Sequence, residues 1–254
     1  MNTSIAASPA AAPPIRHVEI RRPFVWLQQG WQDLKAIGSP ALAHGALIAL
    51  LGGILLMLGS SHLYLVAAAV SGYLLVGPVM TSGLCELARR RAAHEALGFD
   101  DSLRALERNP DGLLHFGVLL AVIAFVWFAL SALLLQVVFS ASAPSLAVTL
   151  WGGASHMSGA QWATYIGCGF VLALTVFAMS VVAVPMLLDR HASASEAVRT
   201  SARAVAHNLP VMLVWAALIV TVNVLGFATL LLGMVIVAPV LGFATWHAYR
   251  DLIG

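Results

Sequence analysis

The sequence predicts an all-α, polytopic membrane protein with six transmembrane helices arranged as three hairpins, each preceded by a short amphipathic interfacial helix. Three observations predict it. Of the 254 residues, 60% are hydrophobic and 9% charged, and the mean hydropathy is +0.90. A soluble domain is about one quarter charged, so the main solvent of this chain is lipid. Uncharged runs long enough to cross a bilayer as helix recur along the chain without period-two alternation. Every lysine and arginine lies in alternate connections between those runs.

The opening "MNTSIAASPAAAPPIR" lacks an apolar core behind a basic start, so it is not a secretory signal. Prolines 9, 13 and 14 block a helix there, and residues 1–15 are expected to form a disordered tail. Residues 16–254 then form a single six-helix domain. Spans are expected at about 41–58, 63–85, 112–139, 162–188, 211–229 and 232–249. The last two come from one uncharged stretch, Val211 to Tyr249, too long for a single crossing; Gly226 and Gly233 bracket the expected reversal.

Charge placement sets the orientation. All 13 Lys and Arg residues occupy the N-terminal segment (Arg16, Arg21, Arg22, Lys35), the connection after span two (Arg89, Arg90, Arg91, Arg104, Arg108), the connection after span four (Arg190, Arg199, Arg203) and the C-terminus (Arg250). The opposite connections carry no charge at all. By the positive-inside rule both termini are cytoplasmic. The longest outer connection, "SASAPSLAVTLWGGASHMSGAQ", has Trp151 and Trp162 near its ends, as suits a loop on the outer interface; a substrate-binding lid is the alternative.

A repeat runs through the spans. "GYLLVGPVMTSGLCELAR" (72–89) aligns with "GMVIVAPVLGFATWHAYR" (233–250), matching Gly, Val, Pro, Val and Arg at identical spacing, and "VAVPMLLDR" repeats the proline in span four. Ahead of each odd span lies an amphipathic segment ending at a proline: Phe24, Leu27, Trp31 and Leu34 before Pro40; Phe99, Leu103 and Leu106 before Pro110; Ala194, Val198, Ala202 and Val205 before Pro210. A proline near a helix start gives up an N–H that has no helical partner anyway. The repeating unit is therefore an interfacial helix and a membrane hairpin, the helix lying apolar side down on the cytoplasmic surface.

Pro78, Pro185 and Pro239 are expected as packing kinks within spans, with a hinge or substrate-facing break as the alternative. Asn223 and Gln136 lie deep and are expected as interhelical polar groups. A cytoplasmic rim gathers Asp33, Glu86, Arg89, Asp189, Arg190, Arg250 and Asp251, either as a charge-paired layer or as a surface for a partner or an anionic head group. His247 takes the place of Glu86 in the repeat. With His44 and His115 it is a weak candidate for cofactor binding, since all three lie near the cytoplasmic boundary rather than deep in facing helices. No cofactor, metal site or catalytic constellation is expected. Cys85 and Cys168 are separate and lack CxxC spacing, and a net charge of +2 without a basic patch argues against nucleic acid. No ionisable residue falls at mid-bilayer, which argues against a conventional pump.

"VPMLLDRHASASEAVRTSARAVAHNLPVMLVWAALIV", "LGFATLLLGMVIVAPVLGFATWHAYRDL" and "GPVMTSGLCELARRR" resemble bacterial inner-membrane proteins grouped as domain of unknown function 2189, over about residues 16–253. The resemblance implies a six-helix protein of the bacterial inner membrane, without an established activity or catalytic residues to carry over. The expected function is non-enzymatic: a structural, regulatory or assembly protein binding a membrane protein complex or anionic lipid at its cytoplasmic rim. A small-molecule or lipid transporter is the first alternative, and an accessory subunit of a respiratory oxidase the second. The oligomeric state is open.

Overall fold

Proline, glycine and asparagine punctuate an almost wholly helical chain. The computed structural model describes residues 13–59, 77, 80–139 and 159–254. Helix α1 (Arg22–Ile37) opens with Pro23 in its first turn and closes at Gly38, whose φ of 70° suits a residue without Cβ and whose N–H bonds the Leu34 carbonyl at 2.9 Å. The chain then bends by 110° into α2 (Ser39–Gly59). Helix α3 covers residues 80–92. Two short helices follow, α4 (Phe99–Leu103) and α5 (Ala105–Arg108), leading into the long apolar α6 (Pro110–Phe139). Next come α7 (Gly159–Ser180), α8 (Ala183–Arg190), α9 (Ala194–His207), α10 (Leu209–Ala228) and α11 (Met234–Leu252).

Among the described residues, three segments are long and apolar enough to cross a membrane: Pro110–Leu130, Ile166–Arg190 and Leu209–Ala228. The bent pair of α1 and α2 makes a fourth if counted as one crossing. These correspond to the expected spans at 112–139, 162–188, 211–229 and 41–58. The expected span at 63–85 lies mostly outside the described residues. Helix α11 covers the expected span at 232–249, yet its last two turns carry His247, Tyr249, Arg250 and Asp251, which dilute its apolar character. It is instead a largely enclosed helix, with Pro239, Phe243, Ala244, Trp246, Ala248, Tyr249 and Leu252 all buried.

Small residues let the other helices reach α11. A Cβ on Gly30 of α1 would collide with the Val240 carbonyl, and one on Gly45 of α2 would collide with the Val235 carbonyl. Pro239 has no N–H for that Val235 carbonyl, four residues back, so the kink and the glycine that closes on it belong together. Gly242 serves α3 likewise: a Cβ there would stand 2.7 Å from Cδ1 of Leu84. The two aligned copies of the repeat, residues 72–89 and 233–250, thus touch each other through Leu84 and Gly242.

Pro185 stands in the first turn of α8, just past a break in the apolar segment Ile166–Arg190. The backbone turns at 181–182 between α7 and α8, and the Val182 N–H, now outside both helices, donates to the Ser201 hydroxyl of α9 at 3.2 Å. The freed donor is satisfied inside the protein. Pro78 lies outside the described residues, as does the side chain of Gln136. Asn223 is placed on α10, where its amide donates to the Ile219 carbonyl of its own helix at 2.8 Å rather than across to a neighbour. An amide that can bond one turn back needs no partner from another helix.

Each elbow helix is present and ends at its proline: α1 before Pro40, α4 and α5 before Pro110, α9 before Pro210. Their buried faces coincide only in part with the apolar faces expected from spacing: Leu34 and Val205 are buried and Leu27, Ala194 and Val198 pack against the core, whereas Phe24, Trp31, Leu103 and Leu106 do not. Small side chains point inward, Gly30 on α1, Ser102 and Ala105 on α4 and α5, Ala197, Ser201 and Ala204 on α9. Trp26, Leu34 and Ile37 of α1 are buried with them, while Phe24 is 57% exposed, Trp31 43%, Leu103 45% and Leu106 50%. Close backbone approach favours small residues where an elbow meets its neighbour, and part of the bulky stripe is left outside.

Candidate functional site

The charged residues of α1, α3, α8 and α11 meet in one rim at the ends of the apolar helices. Glu86, only 1% exposed, is its centre. Arg89 grips both carboxylate oxygens, Nη2 to Oε1 at 2.8 Å and Nε to Oε2 at 2.9 Å, while Arg90 Nε donates to Oε1 at 3.0 Å. Arg108 Nε stands 3.6 Å from Oε2. The spacing explains the first two, because residues three and four apart share a helix face. Arg89 also donates to Glu95, and that bond holds the Glu95 carboxyl below the usual carboxylate range; Glu86 in turn pushes the Arg89 guanidinium upward.

Asp33 of α1 is a second node. It is buried, pairs with Arg91 of α3, and accepts from His247 Nε2 of α11 at 2.8 Å. His247 is thus tied into a salt-linked corner, like Glu86 at the equivalent repeat position. Asp251 accepts from Arg22 Nε at 2.9 Å and from the Trp26 indole at 2.6 Å, fastening α1 to the end of α11. Tyr249 donates to Asp189 at 2.6 Å and accepts from Arg190 Nε at 3.1 Å; Arg190 also donates to the Ile253 carbonyl at 2.8 Å. Of the rim residues singled out by sequence, Glu86, Arg89, Asp189, Arg190 and Asp251 are therefore paired within the chain. Arg250 is exposed, with no side-chain partner among the described residues.

The three histidines serve different corners. His44 is buried between α2, α3 and α4, its Nε2 donating to the Met80 carbonyl at 2.9 Å and its Nδ1 3.3 Å from the Ser102 hydroxyl. A Cβ on Gly83 would stand 2.5 Å from the His44 ring, so that glycine makes room for it. His115 is exposed on α6, with Nδ1 donating to the Asp111 carbonyl at 2.6 Å. Among the described residues no three His, Cys, Asp or Glu side chains are placed to share a metal ion.

Two asparagines escaped the sequence reading. Asn109 donates to the carbonyls of Leu187 and Ala192, at 3.1 and 2.9 Å, and accepts from the Gly112 N–H at 3.0 Å. Asn208 accepts from the Val18 N–H at 3.1 Å and donates to the Arg16 carbonyl at 3.0 Å, while Arg16 N–H bonds the Leu252 carbonyl. The His17 and His207 rings stack beside it, centroids 3.9 Å apart. "RNP" and "HNLP" held the signal: asparagine just before the proline of an elbow, where an amide can cap the next helix and bond across the junction.

A cleft of about 720 Å³ opens between the start of α6 and the start of α9. Asp111, His115 and Leu119 line one wall, and His191, Ser195 and Arg199 the other.

No curated protein and no solved structure matches the chain. A family model described as a predicted integral membrane protein, domain of unknown function 2189, matches residues 65–189. The matched segment includes "GPVMTSGLCELARRR" and ends at Asp189, whereas the stretch from Arg190 to the C-terminus, which carried much of the resemblance, lies beyond it. Over residues 65–189 the chain is similar to this family of predicted integral membrane proteins.

Proposed function

We propose that the chain is a non-enzymatic, six-crossing protein of the bacterial inner membrane with both termini cytoplasmic, and that its elbow helices seat the rim on an anionic lipid surface. The observation that carries this reading is the pair of faces on the elbows. Trp26, Gly30, Leu34 and Ile37 of α1 and Ser102 and Ala105 of the second elbow face the protein, while Phe24, Trp31, Leu103 and Leu106 turn outward beside basic groups. Lys35 Nζ lies 5.2 Å from the Trp31 ring centroid, and Arg199 and Arg203 are exposed on α9. Aromatic and aliphatic side chains rimmed by cations suit the boundary between acyl chains and anionic head groups. The bend of 110° between α1 and α2 supports the placement, since a crossing α2 leaves α1 close to the membrane plane.

The paired charges then act as a frame rather than as the docking surface. Internal pairing spends Glu86, Asp33 and Asp251 on holding α1, α3 and α11 together, and the unpaired bases outside the frame meet the membrane. A nitroxide label at position 24 (F24C, with C85A and C168A) in vesicles containing an anionic lipid tests this directly. The reading expects the label about 5–10 Å below the phosphates, shielded from aqueous relaxants. A fully water-accessible label would overturn it.

A further inference from the structure

The cleft between α6 and α9 combines features that a flat charged surface lacks. Its two walls bear one permanent charge each and of opposite sign, Asp111 on α6 and Arg199 on α9. Neither side chain has an ion-pair partner among the described residues, and they do not pair with each other across the opening. Opposite charges sharing a cleft without touching leave a gap that a ligand with its own two charges can bridge. His115 adds a ring nitrogen, because Nδ1 is committed to the Asp111 carbonyl and Nε2 is left over. Ser195 and His191 add further polar groups on the Arg199 wall.

Helical spacing extends the site toward lipid. Asp111, His115, Val118, Leu119 and Val122 share one face of α6, running from the rim into the apolar segment. Val118 and Val122 are exposed on that face. A molecule held at Asp111 and Arg199 would thus lay an apolar tail along Val118 and Val122.

We propose that this cleft binds the head group of an aminophospholipid, a lipid with one phosphodiester and one primary ammonium. Arg199 receives the phosphodiester, assisted by the Ser195 hydroxyl, and His115 Nε2, an acceptor once Nδ1 donates, accepts from the ammonium. Asp111 receives the ammonium. Charge matching argues against a purely anionic head group, which would meet the Asp111 carboxylate unpaired. A quaternary ammonium fits poorly as well, since it has no N–H to donate to that carboxylate. The acyl chains follow the α6 face, so a membrane lipid is the occupant rather than free phosphoethanolamine.

The proposal rests on the membrane placement given above, and its test separates the two. Full-length protein is reconstituted in nanodiscs of equal phosphatidylethanolamine, phosphatidylglycerol and phosphatidylcholine, and lipids retained after release are counted by native mass spectrometry. Wild type is expected to keep phosphatidylethanolamine about tenfold over either competitor, the scale of one charge-assisted hydrogen bond. Arg199→Gln should lower that retention by about tenfold, and Asp111→Asn should bring phosphatidylglycerol level with phosphatidylethanolamine. Both side chains are exposed, so neither variant should alter the thermal unfolding midpoint, which is measured alongside. Equal retention of the three lipids, or a preference that survives both substitutions, would overturn the site while leaving the membrane placement intact. Displacement of the retained lipid by millimolar O-phosphoethanolamine would overturn the assignment to a lipid with chains. A chain whose position-24 label stays in water would remove the placement itself.

Discussion

At the level of single residues, the rim shows what sequence spacing can and cannot reveal. Glu86, Arg89 and Arg90 stand three and four residues apart, so their pairing was readable from one helix. Asp33 and His247 are 214 positions apart and meet because α1 and α11 pack together. Nothing local marks that pair beyond two polar residues near helix ends. Glu86→Gln removes a buried negative charge from beside three arginines and should cost about 3 kcal/mol of stability in detergent, seen as a lower unfolding midpoint. Arg250→Gln, exposed and unpartnered, should change the midpoint little by comparison. Equal effects of the two would mean that the Glu86 cluster does not hold the rim. Acid provides a further check. The Glu95 carboxyl is held below its ordinary value of 4.5 by Arg89, so its pairing stabilises the fold fully above that pH. That contribution fades as pH falls through the lowered pKa, so Glu95→Gln should lower the neutral-pH plateau slightly and flatten the acid limb, the two profiles converging at low pH.

Among elements, the elbow-and-proline units were legible because proline, glycine and asparagine act through backbone geometry that a sequence displays directly. The faces of those elbows were less so. Spacing of large apolar residues located a stripe on α1 of which Leu34 is buried and Phe24 and Trp31 are exposed, while α11 is approached through Gly30. Amphipathicity identifies an apolar face without saying whether protein or lipid covers it. The tight approaches to α11 make a sharp prediction. Gly45→Ala and Gly30→Ala should each destabilise the protein by about 1–3 kcal/mol, because an added methyl meets α11 backbone rather than a movable side chain. Gly53→Ala on the same α2 meets nothing within 4 Å and should be neutral or stabilising by up to about 1 kcal/mol. Thermal unfolding of the three variants decides the matter, and a uniform response would contradict the packing. The asparagine clamps belong to this scale too: Asn109 ties the α5–α6 elbow to α8, and Asn208 ties the α9–α10 elbow to the N-terminal segment.

For the whole molecule, composition and the distribution of basic residues carried the fold class, and the helical architecture and the family of integral membrane proteins agree with it. Hydrophobicity alone was less decisive at α11. That helix reads as a crossing by length, yet it is the one around which α1, α2 and α3 gather, so its polar end reflects internal pairing as much as a membrane boundary. The proposed topology follows from thirteen basic residues on one side and none in the opposite connections. Single cysteines in a C85A, C168A background, probed with a membrane-impermeant maleimide in intact cells and in inverted vesicles, test it most directly. Cysteines replacing His94, Ser195 and Gly254 should react only in inverted vesicles, and those replacing Ser60 and Ser155 only from outside. Labelling of position 94 and position 155 from the same side would contradict the six-crossing account.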